Sequence, residues 1–169
     1  MGANVSNTQP RTGRVIISST RAASGEYADT TGPLIVEWLK ARGIATPAPV
    51  VVRDGVQTVS AALREAISAQ VDIVITSGGT GLSPDDQTPE ATAPLLERPV
   101  PGIISEIRRR GTAAGVASAI LTRGSAGVVG NCFVVNFPGS VGGVRDGLSV
   151  LDGVLEHMLA QIAGSGHHG

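Results

Sequence analysis

Val71-Asp72-Ile73-Val74-Ile75-Thr76-Ser77-Gly78-Gly79-Thr80-Gly81 is the stretch on which the architecture turns. Residues 71–76 form a short run, mostly apolar and β-branched, that reads as a strand buried on both faces. The run empties into a loop of glycine, serine and threonine, and a helix start follows. There Thr88 suits an N-cap, Pro89 the first helical position and Glu90 an acid in the first turn. This helix is expected to run to about Glu97, with Pro99, Pro101 and Gly102 breaking it. A strand, a glycine loop and a helix in succession make the unit from which parallel sheets are assembled.

The same alternation continues on both sides. Val15-Ile16-Ile17 and Val50-Val51-Val52 read as strands. Between them Tyr27, Thr31, Leu34, Trp38 and Leu39 recur at helical spacing, and Gly43 is placed to end that helix. Val56, Val59, Leu63, Ala66 and Ile67 mark an amphipathic helix. A further helix covers roughly 103–112, with Arg108, Arg109 and Arg110 solvated on it. Strands are expected around Gly127-Val128-Val129 and Cys132-Phe133-Val134-Val135. Val144, Leu148, Leu151, Leu155, Met158 and Ile162 then trace one face of a closing helix. The pattern predicts an α/β domain over residues 13–163, with a mainly parallel sheet and helices on both faces. Residues 1–12 read as a disordered tail and residues 164–169 as a flexible one.

Composition narrows the function. The chain has 169 residues and a mass of 17.1 kDa, enough for one hydrophobic core. Its net charge of −1 supplies no cationic field for nucleic-acid phosphates. Aromatic residues make up 2%, so the core must be built from aliphatic side chains and base-stacking platforms are not expected. No apolar run reaches the ~18 residues of a membrane span, and the first residues are not signal-like. A cytoplasmic protein is expected, with neither membrane nor nucleic acid among its partners. The lone cysteine, Cys132, excludes an intramolecular disulfide and sits in an apolar strand, where a buried, inert thiol is expected. Lys40 is the only lysine, which removes chemistry that needs a phosphate-loop lysine or a Schiff base.

In parallel α/β sheets ligands gather beyond the carboxyl ends of the strands, and three such ends carry unusual residues. Ser77, Gly78, Gly79, Thr80 and Gly81 let the backbone approach a ligand, and their N–H groups suit an anion; a purely structural turn is the plainer reading. The loop is neither a Walker loop nor a dinucleotide fingerprint. Asp85-Asp86 precede a helix start, where carboxylates either favour the helix dipole or hold Mg²⁺ against phosphate oxygens. Asp54 follows the second strand, and Pro138-Gly139-Ser140 open the last helix, with Ser140 either a cap or part of a phosphate site. These loops share one rim and are expected to converge on one pocket.

Ser77-Gly78-Gly79-Thr80-Gly81, followed by Ser83-Pro84-Asp85-Asp86 and Thr88-Pro89-Glu90-Ala91-Thr92, closely resembles the signature of the molybdenum-cofactor biosynthesis family. That family includes Mog-type molybdopterin adenylyltransferases, MoaB-type proteins and the gephyrin G domain. The resemblance spans about residues 14–163 and takes in Ala23-Ser24-Gly25-Glu26-Tyr27-Ala28-Asp29, Leu121-Thr122-Arg123 and the 138–140 turn. It implies a three-layer α/β/α domain, a homotrimer, and Mg²⁺-dependent transfer of AMP from ATP to molybdopterin with release of pyrophosphate. Asp54 and Asp86 would be the catalytic, metal-holding pair. Ser77, Gly78, Gly79, Thr80, Gly81, Thr88, Pro138, Gly139 and Ser140 would bind substrate. A molybdate-insertion protein would be a partner. Many members carry arginine directly before the motif aspartate, where this chain has Asp85, and an acid there adds repulsion toward phosphate worth ~1 kcal/mol if exposed. The alternative from another class is a non-catalytic molybdopterin carrier or assembly protein. An unrelated α/β oxidoreductase is disfavoured by the missing dinucleotide fingerprint.

Overall fold

A computed structural model describes residues 9–164. The first strand, β1 (Gly13–Ser18), leads through the short helix α1 (Thr20–Ala23) to α2 (Thr31–Ala41). Strand β2 (Val50–Val52) precedes α3 (Val56–Ser68), and β3 (Ile73–Ser77) precedes α4 (Thr88–Thr92). The two-residue strand β4 (Arg98–Pro99) and helix α5 (Pro101–Ala113) follow. Strands β5 (Ala126–Val129) and β6 (Cys132–Phe137) then lead to helices α6 (Val141–Asp152) and α7 (Leu155–Ile162).

The sheet has strand order β2-β1-β3-β6-β5-β4. Its first four strands run parallel, with Ile73 opposite Gly13 on one side and Phe133 on the other. Strands β5 and β4 are antiparallel additions at one edge. Alternation along each strand divides the core in two. Val15, Ile17, Ile73, Ile75, Phe133, Val135 and Phe137 pack with α2, α5, α6 and α7. Ile16, Val74, Cys132 and Val134 face the other way, against Val59, Leu63 and Ala66 of α3 and Ala91 of α4. Period-two side chains on a two-sided sheet give this three-layer α/β/α sandwich. Among the described residues no helix is long and apolar enough to cross a membrane.

Several boundaries differ from the sequence reading. The helix from Thr88 stops at Thr92 and tightens into a 3-10 turn over Ala93–Leu95, because Pro94 has no N–H for the next helical bond. The closing helix is two helices, divided at Gly153 and Val154, although Val144, Leu148, Leu151, Leu155 and Leu159 still share one core. Glycine is a poor helix former, and the Val154 N–H turns back to Leu151 O at 3.0 Å. Tyr27 precedes its expected helix and is exposed, since Asp29 Oδ1 caps α2 by accepting from the N–H groups of Thr31 and Gly32 at 3.1 and 3.0 Å. Arg108 is not freely solvated: its Nε donates to Thr122 O at 2.7 Å.

The expected tail over residues 1–12 is too long by at least two residues. Arg11 O accepts from Ala45 N at 2.9 Å, and Thr12 N donates to Asp72 Oδ2 at 2.8 Å. Gly164 closes α7 through Gln161 O. Residues 1–8 and 165–169, including His167 and His168, lie outside the described residues.

Candidate active site

The carboxyl end of β3 delivers Ser77 into a tight junction with the end of β6. Ser77 Oγ donates to Pro138 O at 2.8 Å, and Gly78 N donates to Phe137 O at 3.1 Å. Gly78 and Gly79 then take φ values of +94° and +68°, a region that L side chains rarely adopt. Space forbids a side chain as well. A Cβ on Gly78 would strike Ser18 O, and one on Gly79 would strike Thr88 Oγ1 and come within 3.0 Å of Ser18 Oγ. The two glycines therefore let β1, the loop and α4 close on one another.

Beneath the loop is a buried polar knot. The Asn136 amide donates to Thr76 Oγ1 at 2.9 Å and to Thr92 Oγ1 at 3.0 Å, while Asn136 Oδ1 accepts from Ser125 N at 2.9 Å. This satisfied network fixes β3, β6 and α4 relative to one another. Thr88 is fully buried at the start of α4, and its Oγ1 has no partner among the described residues.

Asp54 is held at the end of β2 by residues from the end of β1. Its Oδ1 accepts from Ser18 Oγ at 2.6 Å, and its Oδ2 accepts from Thr20 N and Thr20 Oγ1 at 3.3 and 3.2 Å. Asp86 comes from the loop before α4, where its Oδ2 accepts from Ser83 N at 3.1 Å. Asp54, Asp86, Ser18, Ser77, Gly78, Gly79 and Gly139 line one open cleft of about 240 Å³. Asp29 and Tyr27 form its outer lip. The N–H groups of Gly79, Thr80, Gly81, Gly139 and Ser140 donate to no acceptor among the described residues. Of these five, Gly79 and Gly139 line the cleft, and their unengaged amides beside two fixed carboxylates suit a phosphate chain with a divalent cation between.

Not every expected site residue faces this cleft. Pro138 and Ser140 line a neighbouring cavity of about 290 Å³, and Ser140 Oγ caps α6 by accepting from Gly143 N at 3.0 Å. Thr80 is buried behind the loop, and Gly81 abuts Asp86, whose Oδ2 lies 2.7 Å from where a Cβ would stand. Thr88 lies beneath the loop. The single pocket expected from the sequence is thus a cleft and a cavity with the 138–140 turn between them.

Arg123, which entered the sequence reading only as part of the Leu121-Thr122-Arg123 stretch and without a role, is a site residue. Its N–H donates to Thr80 O at 3.0 Å, its Nε to Gly81 O at 2.9 Å and its Nη2 to Asp86 O at 2.7 Å. Its Nη1 meets Glu90 Oε1 at 2.5 Å, and this hydrogen bond lowers the Glu90 carboxyl from its ordinary value. One guanidinium thus fastens both ends of the loop that carries Asp86. Asp85 is exposed and engages no group among the described residues. Cys132 is buried as expected, and desolvation, with Asp72 nearby, pushes its thiol up to about 12.

A family model described as "Probable molybdopterin binding domain" matches residues 14–157. A molybdopterin adenylyltransferase of Pyrococcus furiosus is 35% identical over 150 residues, covering 86% of this chain and 87% of that protein. A molybdenum cofactor biosynthesis bifunctional protein of Synechococcus elongatus is 37% identical over 90% of this chain, which spans about half (48%) of the relative's length. Among solved structures, the molybdopterin biosynthesis Mog protein from Mycobacterium ulcerans superposes with a TM-score of 0.85 at 52% identity, covering 90% of this chain and 99% of that one. Matched along nearly its whole described length in both sequence and fold, the chain belongs to the molybdenum-cofactor biosynthesis family of molybdopterin-binding domains.

Proposed function

We propose that the chain is a molybdopterin adenylyltransferase that transfers AMP from ATP to molybdopterin and releases pyrophosphate. The observation that carries this reading is the meeting of Asp54, Asp86 and the Gly78–Gly79 backbone in one cleft. The terminal phosphate of molybdopterin would attack the α-phosphorus of ATP, so the chain needs no nucleophile of its own. Its contribution is placement and charge. The unengaged N–H groups receive phosphate oxygens, and Asp54, gripped by Ser18 and Thr20, stays in one orientation.

Mg²⁺ fits the donors present only with help from substrate. Among the described residues no three His, Cys, Asp or Glu side chains cluster to hold a metal. Two carboxylates facing a phosphate site match the habit of Mg²⁺, which takes one or two carboxylates plus substrate phosphates. Asp54 and Asp86 would hold it. When bound, the ion would neutralise charge developing on the phosphate oxygens.

The product would pass to a molybdate-inserting protein in the cytoplasm. Self-association as a trimer is supported by exposed Val116, Ile120 and Leu121, which stand 52%, 63% and 48% accessible along one short segment. The test is pyrophosphate release from ATP that depends on added molybdopterin. Asp86→Asn is expected to abolish transfer, by at least ~100-fold, while molybdopterin binding persists. Unchanged turnover in that variant sinks the metal role. A second reading, a non-catalytic carrier, is favoured by exposed, unneutralised Asp85 beside the phosphate cleft, and binding of molybdopterin without pyrophosphate release would establish it.

A further inference from the structure

The two carboxylates of the cleft are fastened to different parts of the fold. Asp54 is tied back to the end of β1 by Ser18 and Thr20, while the Asp86 loop is tied by Ser83 and Arg123. Neither set of contacts joins one carboxylate's segment to the other's. Gln87 does. It follows Asp86 directly, and its Oε1 accepts from the N–H of Val56, two residues past Asp54, at 2.8 Å. Its Nε2 donates back to Pro84 O at 3.2 Å, so both ends of the amide are engaged. Among the described residues, this contact to Val56 is the one hydrogen bond between the turn 53–56 and the loop 82–87.

Val56 opens α3, whose N-cap is Gly55, a residue at φ +132° with no side chain to offer the first-turn N–H groups. Such a helix start is satisfied by a side chain from elsewhere or by water. An acidic cap would suit the helix dipole better. It would also set a further charge beside Asp54 and Asp86 and repel an arriving phosphate. A neutral amide caps the helix and leaves the charge of the site unchanged. Gln87 is half-buried and does not line the cleft, so it acts on substrate only through the two segments that it joins. The apolar cluster that holds α3 against α4 begins a turn further on, at Val59, and does not involve Gln87.

We propose that Gln87 is a positioning residue for the adenylyl transfer: it straps the Asp54 turn to the Asp86 loop at the separation where both carboxylates serve one substrate-bound divalent cation. The assignment deepens the adenylyltransferase reading and rests on it for the cation and the nucleotide. Mg²⁺ demands near-ideal octahedral geometry, so displacement of either carboxylate weakens its hold directly. Both aspartates stand on loops, where the chain moves most readily. One hydrogen bond across the two loops removes that freedom before substrate arrives.

A variant without the acceptor tests the strap with and without turnover. Gln87→Met keeps the reach of the side chain and loses its amide. Read by NMR on the free chain, amide exchange at Val56 is expected to quicken about tenfold in Gln87→Met, while Leu63 in the interior of α3 keeps its wild-type rate. Gln87→Glu keeps the acceptor and is expected to leave Val56 slow. In calorimetric titrations Gln87→Met is expected to weaken ATP binding about tenfold when Mg²⁺ is present and to leave metal-free ATP unaffected. General loosening of the fold would weaken both alike. The kcat for pyrophosphate release is expected to fall about tenfold or more, with the KM for molybdopterin within about twofold. Thermal melts check that the variants fold. Wild-type exchange at Val56 in Gln87→Met, equal weakening of ATP with and without Mg²⁺, or an unchanged kcat overturns the assignment. A wild-type chain that releases no pyrophosphate sinks the adenylyltransferase reading instead, and Val56 exchange with Mg²⁺-dependent ATP binding then still decides the role of Gln87.

Discussion

At the scale of single residues, Arg123 shows how a positioning group differs from a reacting one. Its side chain touches two carbonyl oxygens of the loop and one carboxylate, and its rigid fork is what lets one side chain do so. Arg123→Lys keeps the charge and loses the fork. That variant is expected to lower kcat for pyrophosphate release about tenfold or more, since a 1 Å shift at a reacting centre costs at least that much. It is expected to leave the melting temperature nearly unchanged, because exposed ion pairs contribute little. The pH dependence has a definite sign. Glu90 is lowered in the folded state, so its contribution is full above the ordinary carboxylate range and is lost as pH falls through the folded value. The stability margin of wild type over Arg123→Gln should therefore narrow on acidification; a constant margin would assign the effect to something other than Glu90. Asp54, Asp86 and the glycine pair were legible in the sequence because each follows a readable strand or precedes a readable helix. Ser18 and Thr20 were not, and Arg123 was quoted without a role, since hydroxyls and arginines serve many ends and their side-chain partners lie 33 to 42 residues away.

At the scale of elements, the contact of α6 with β6 depends on a missing side chain. Gly147 is buried mid-helix, and a Cβ there would stand 2.6 Å from the Phe137 ring. Alanine would gain ~1 kcal/mol of helix propensity, but overpacking against a fully buried ring costs ~1–3 kcal/mol. The clash should win, and Gly147→Ala is expected to destabilise the chain by ~1 kcal/mol in urea titration; a stabilised variant would show that α6 can shift outward at no cost. Strands β1, β2, β3 and β6 were legible as β-branched runs. Strand β4 was not, because two residues ending in proline carry no periodicity, and proline is tolerated there only because the strand is an edge. The division between α6 and α7 was hidden for a related reason: the apolar spacing runs on across Gly153, since both helices cover the same core.

At the scale of the whole molecule, alternation of strands and helices was enough to predict the parallel sheet, but not the order of its strands. That order puts β1 between β2 and β3, and β3 beside β6, so the carboxyl ends of all four open at one rim. Residues distant in the chain become neighbours there through pairings that no local pattern encodes. The sequence therefore revealed that several loops shared a rim, and left undetermined that they enclose two hollows and not one.

The strip of main chain at 138–140 forms the partition. Gly139 borders the cleft and leans on the glycine loop, where its Cβ would lie 3.3 Å from Gly78 Cα, while Pro138 and Ser140 border the cavity. Whatever settles on one side presses a backbone that its neighbour across the wall must also accept. Ligands in the cleft and in the cavity should accordingly tune each other's dissociation constants by one and the same factor, whichever arrives first. Calorimetric titration of each, alone and with the other saturating, reads that reciprocity directly, and two unaltered constants would mean the wall is stiff enough to keep its tenants strangers.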